Sequence, residues 1–186
     1  MIRLLFNKMK FDYVFFDIDG TMRSDSFDKN IFTEIKDILL QGDSKKFGII
    51  TNGHHERQLN FLKDNGVLDK INMDLFFSPT LFTEEALSDE SHELRKNSVS
   101  LDFEDIRTEA SKHKDYIFEK VKKKIGDSEC ILVDDSLISV VSAKRNGFSV
   151  VYLYDDSDID IIKELNLDID YFVDKKKLNE LKKILF

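Results

Sequence analysis

Asp17 and Asp19 stand two residues apart at the end of the apolar run YVFF (13–16), and Gly20 and Thr21 follow them. The two-residue period of an extended chain sends both carboxylates to one face. Like charges at that spacing repel, so the pair implies a bound cation or a shifted pKa. Similar chemistry ends three more apolar runs: FGII (47–50) leads into Thr51-Asn52-Gly53, LFF (75–77) into Ser78, and CILV (130–133) into Asp134-Asp135-Ser136. Asp17, Asp19, Asp134 and Asp135 make a hard oxygen donor set of the kind that suits Mg²⁺, which takes few protein carboxylates plus substrate phosphate. Taken singly, each piece has an ordinary reading. An aspartate can end a strand, Thr51 can cap a helix starting near His54, and Asp134, Asp135 or Ser136 can cap the next one. Their recurrence at successive run ends points to one crevice.

The elements that must position these groups follow from hydrophobic spacing. The short runs, together with VVYL (150–153), read as buried strands. Between them lie helical stripes: Ile31, Ile35, Ile38 and Leu39 after a cap at Asn30 or Asp28, then Leu59, Leu62 and Val67 ended by Asn65-Gly66. Ile117, Phe118, Val121 and Ile125 precede Gly126; Val140, Val141 and Ala143 precede Asn146-Gly147; KKKLNELKKILF reads as a terminal helix. Alternating strands and helices predict a doubly wound, Rossmann-like α/β fold, its mostly parallel sheet covered by helices on both faces. In such sheets ligands gather beyond the carboxyl ends of the strands, where the acidic and hydroxyl groups stand. His54 and His55 read as exposed first-turn residues. The polar stretch 79–111, with the chain's one proline, breaks the rhythm and reads as a surface loop or a lid.

The chain of 186 residues suits a single domain, 1–186, with a sizeable core. A net charge of −8 disfavours a broad nucleic-acid interface. Cys130, the single cysteine, has no partner for an internal disulfide, which fits a reducing compartment. MIRLLFNKMK is too short and too charged for a signal peptide, and no run of about 18 apolar residues follows. A cytoplasmic location without membrane attachment is the expectation.

VFFDIDGT resembles the first motif of the haloacid dehalogenase superfamily of hydrolases, and FGIITNG is similar to its second. SKHKDYIF resembles the helix start that carries the family's lysine, which falls on Lys112 with Lys114 in reserve. CILVDDSLISVVSAKRNGFSVVYL resembles the last motif. The likeness spans roughly residues 12–154, with His113 at the family's proline and Ser139-Val140 where many relatives carry Asn-Asp. That departure moves the weight of metal binding onto Asp134 and Asp135.

The resemblance implies a phosphatase with Mg²⁺ held by Asp17, the Asp19 carbonyl and Asp135, with Asp134 supporting a bound water. Asp17 would be the nucleophile and Asp19 the general acid and base. Thr51, Asn52 and Lys112 would hold phosphoryl oxygens. Because a halide leaves without a proton, and dehalogenases of the family lack the second aspartate, Asp19 disfavours dehalogenation. Residues 22–46 leave room for a hairpin flap and one helix, hence little or no cap. The expected partner is a phosphorylated substrate, a small metabolite such as a sugar phosphate or nucleotide, or a macromolecular phosphate. A non-catalytic protein that keeps the fold and a phosphotransferase are the alternatives, and oligomerisation stays open.

Overall fold

The computed structural model describes residues 9–78, 117–160, 162 and 168–186. Strands β1 (Tyr13–Phe16), β2 (Phe47–Ile50), β3 (Phe76–Phe77), β4 (Cys130–Asp134), β5 (Ser149–Tyr154) and β6 (Tyr171–Asp174) form one six-stranded sheet in the order β3-β2-β1-β4-β5-β6. Every pairing is parallel. The connections between successive strands carry helices α1 (Thr33–Gln41), α2 (His55–Asp64), α3 (117–125) and α4 (Leu137–Arg145), and α5 (Leu181–Leu185) ends the chain. This is the doubly wound α/β fold that the patterning predicts.

Side-chain alternation along the strands divides the core in two. Val14 and Phe16, Ile131 and Val133, and Val151 and Leu153 pack with Ile35 and Ile38 of α1, Leu62 of α2 and Leu181 of α5. Phe15, Leu132 and Val150 turn to the other face, against Phe118 of α3 and Val140 of α4. Burying one such side chain stabilises the fold by roughly 1.5–3 kcal/mol. Gly48 stands opposite Phe15 in the β1–β2 register, and a Cβ there would lie 2.5 Å from the Phe15 ring. A glycine inside an apolar strand is explained by that ring, which needs the space.

Local differences from the sequence reading have plain causes. Helix α1 begins after Phe32 with no side-chain cap, while Asp28 accepts from Ser24 Oγ and the Asn30 N–H and so fastens the loop before it. Residues 18–32 form turns with one isolated bridge, Asp19–Arg23, in place of a hairpin. The C-terminal segment is a 3₁₀ helix, Lys175–Glu180, kinked at Lys177 before α5. Strand β6 is built on the short apolar run Tyr171-Phe172-Val173, which the sequence reading does not single out; at the sheet edge Tyr171 and Phe172 stay exposed while Val173 is buried. The 79–111 insert lies outside the described residues. Among the described residues, no helix is long and apolar enough to cross a membrane.

Candidate active site

Parallel strands that start at one level also end at one level. The carboxyl ends of β1, β2 and β4 therefore deliver their next residues to a common cleft of about 430 Å³. Asp17, Asp19, Thr51, Asn52, Asp134 and Asp135 all line it. Ser78, which follows β3, is buried and faces His55, its Oγ 3.4 Å from Nδ1.

Asp17 and Asp134 are 7% and 1% exposed, and Asp135 is half-buried. One carboxylate oxygen from each lies within 4.8 Å of the others. Oxygens sharing an Mg²⁺ at 2.0–2.1 Å stand roughly 3–4 Å apart, so a small inward movement of these three makes a ligand set. All the donors are hard oxygens, which fits Mg²⁺ and disfavours softer metals. The chain also brings its backbone close. Gly20 has φ +87°, and a Cβ on it would sit 2.0 Å from Asp135 Oδ2. Only glycine takes that dihedral cheaply and leaves that space.

Hydrogen bonds hold the cluster in place. Asp134 Oδ1 accepts from the Ser136 N–H at 2.8 Å, and its other oxygen accepts a short bond from Ser139 Oγ. Ser139 thus acts on the acidic cluster through Asp134. Ser136 caps α4 through the Ser139 N–H. The Asp135 N–H donates to Thr21 Oγ1 at 3.1 Å, and Lys175 Nζ donates to Asp135 Oδ2 at 3.0 Å. Lys175 follows β6, so even the edge strand points a cation at this end of the sheet.

Asp19 stands apart from the cluster. Its Oδ1 accepts from Arg23 Nε at 2.7 Å, and its Oδ2 accepts from Arg57 Nη2 and Gln58 Nε2, each at 2.9 Å. The same-face geometry expected of Asp17 and Asp19 ends with β1 at Phe16, after which the chain turns: the N–H groups of Thr21, Met22 and Arg23 all bond to the Ile18 carbonyl. Asp19 is neutralised by its arginines, while Asp17 turns toward Asp134 and Asp135. Arg23 is buried, donates also to the Asp28 carbonyl and Gln58 Oε1, and lies 4.4 Å from the Phe61 ring centroid. The side chain of Arg57 is 49% exposed, and an ion pair this open contributes only about 0.2–1 kcal/mol.

Thr51 is buried and its Oγ1 accepts from the Gly53 N–H at 3.2 Å, a turn bond that leaves α2 with an uncapped start at His54. Asn52 and His54 line the cleft, and both are exposed. His55 turns the other way and packs edge-on against Phe76 at 4.8 Å; burial lowers its pKa, with Glu56 opposing and His54 adding to the shift. Lys112 and Lys114 lie outside the described residues. Arg23, Arg57, Gln58 and Lys175 were not read from the sequence. Arg23 is four residues beyond Asp19, and Arg57-Gln58 follow Thr51-Asn52-Gly53 by one helical turn, so a search for counter-charges near the motifs finds them. Lys175 belongs to a lysine run with no local signal.

No family model matches the chain, and no curated protein matches it. Solved structures do. A haloacid dehalogenase-like hydrolase family protein from Streptococcus pneumoniae superposes with a TM-score of 0.58 at 13% identity, covering 94% of this chain and 98% of that one. A dehalogenase with an intermediate complex gives 0.53 at 14% identity; the match covers 84% of this chain and 58% of the dehalogenase's length. The fold is that of haloacid dehalogenase-like hydrolases, with an acidic cluster at the end of the sheet where ligands of this architecture gather.

Proposed function

We propose that the protein is a Mg²⁺-dependent phosphomonoesterase that works through an aspartyl-phosphate on Asp17. The observation that carries this reading is the convergence of Asp17, Asp134 and Asp135 within 4.8 Å in a cleft that Asp19 and Thr51 also line. A carboxylate meeting a phosphate dianion is repelled, and bound Mg²⁺ supplies the neutralising charge and polarises the phosphoryl group. Asp17, Asp134 and Asp135 would hold the ion. The chain's own groups do the rest. An oxygen of Asp17 attacks phosphorus while the bond to the leaving oxygen breaks, and Asp19 gives that oxygen a proton. Water then attacks phosphorus, Asp19 takes the water's proton, and the Asp17 carboxylate is released with inorganic phosphate. The Thr51 hydroxyl and the Asn52 N–H serve as donors to the phosphoryl oxygens.

Asp19 separates this reading from dehalogenation, because an alkoxide needs a proton and a halide does not. The substrate class is a phosphorylated small molecule. Hydrolysis of an aryl phosphate should require Mg²⁺ and fall by at least about 10³-fold in Asp17→Asn. Mg²⁺ and vanadate, a phosphoryl mimic, should raise the melting temperature together. Absence of turnover over a broad phosphate panel with Mg²⁺ present would overturn the proposal.

A further inference from the structure

We propose that Arg57 determines specificity in this cleft by reading a second anionic group, a carboxylate or a phosphate, on the leaving-group portion of a phosphomonoester. This rests on the phosphatase reading above. Asp17, Asp19, Asp134 and Asp135 line the cleft as acids, and Arg57 is the permanent cation among its described lining residues. An anion beyond the one destined for the metal cluster therefore has Arg57 to meet. Its fork of N–H groups matches a carboxylate or phosphate with paired bonds.

The two arginines on Asp19 are unequal. Arg23 is 4% exposed and anchored to Asp19, the Asp28 carbonyl and Gln58, so its departure would leave buried groups without partners. Arg57 is half in solvent, and its 2.9 Å contact with Asp19 is its one ion pair among the described residues. Arg23 therefore holds Asp19 in place, and Arg57 is the partner that can be exchanged. The position matters as much as the charge. A group that protonates the leaving oxygen must face it, so a side chain touching Asp19 from the solvent side lies along the leaving group. In the resting arrangement Oδ2 of Asp19 only accepts hydrogen bonds, from Arg57 and Gln58. Transfer of Arg57 to a substrate anion leaves Asp19 held by Arg23 and Gln58, so the carboxylate keeps its place.

Three substrates test this with Mg²⁺ present: phenyl phosphate, 4-carboxyphenyl phosphate and 4-phosphonophenyl phosphate. The wild type should favour the two compounds that carry a second anionic group by ~10-fold or more in kcat/KM, the equivalent of about 1.4 kcal/mol. The carboxylate and phosphonate arms show which anion is preferred. In Arg57→Gln the preference should collapse toward unity, whatever happens to the absolute rates, and Arg57→Lys should retain part of it. Calorimetric Kd values for the same compounds on Asp17→Asn, with and without Arg57→Gln, should repeat the pattern without turnover. A preference that is absent in the wild type, or unchanged in Arg57→Gln, overturns the proposal. If no compound is hydrolysed, the phosphatase reading fails, and the Kd ratio alone still decides the role of Arg57.

Discussion

Gly20 and Asp135, more than a hundred residues apart in the chain, approach so closely that a Cβ on Gly20 would lie 2.0 Å from Asp135 Oδ2. Gly20→Ala therefore meets both a clash and a positive φ. The expected cost is about 2 kcal/mol or more, a fall of ~4–8 °C in melting temperature for a chain of this size. Asp135 must also move, so the Mg²⁺-induced rise in melting temperature should shrink. A variant with wild-type stability and an undiminished Mg²⁺ response would contradict this packing.

Lys175 neutralises Asp135 across 3.0 Å, with each side chain about one-quarter exposed. Without metal, this ammonium offsets repulsion among three converging carboxylates. Lys175→Met should lower metal-free stability by about 0.5–1 kcal/mol and enlarge the stabilisation gained from Mg²⁺. Thermal melts across a Mg²⁺ titration read both effects. An equal shift at every Mg²⁺ concentration would show that Lys175 and the cation do not compete.

His55 gives stability a pH dependence of known sign. Burial against Phe76 lowers its pKa, so the unfolded chain binds a proton more readily than the folded one. Stability from this group is fully present above the unfolded value of about 6.5 and is lost as pH falls through that value toward the folded one. Melting temperatures measured between pH 5 and 7 should rise less steeply in His55→Gln than in the wild type. Parallel profiles would remove His55 as the cause.

Cys130 is 3% exposed and its thiol is pushed up to about 11, chiefly by burial, with Lys122 pulling the other way. At pH 8 only about 0.1% would be thiolate. Labelling by a disulfide reagent should be slow in the native protein and become rapid in denaturant, with a midpoint matching unfolding. Rapid native labelling would mean that the β4 side of the core opens readily.

Five of the six strands were legible because buried parallel strands need short apolar runs, and helix ends were marked at Gly66, Gly126 and Gly147, each with positive φ. The acidic and hydroxyl residues after β1, β2 and β4 were legible for a related reason: topology alone carries strand ends to one edge. Edge strand β6 escaped although Tyr171-Phe172-Val173 is as long a run as LFF, because it is set among Asp168, Asp170 and Asp174 in a polar C-terminal stretch. Pairing between charged side chains was not legible either. Local spacing put Asp17 and Asp19 together, yet the turn at Ile18 sends Asp19 to Arg23, Arg57 and Gln58, while Asp17 joins Asp134 and Asp135. Lys175 reaches Asp135 only because β6 packs beside β5. The amino-acid order determined which elements form and what chemistry sits at their tips, because both depend on near neighbours. Which charge answers which was decided by tertiary structure, because electrostatic partners are set by distances in space that the order of residues does not contain.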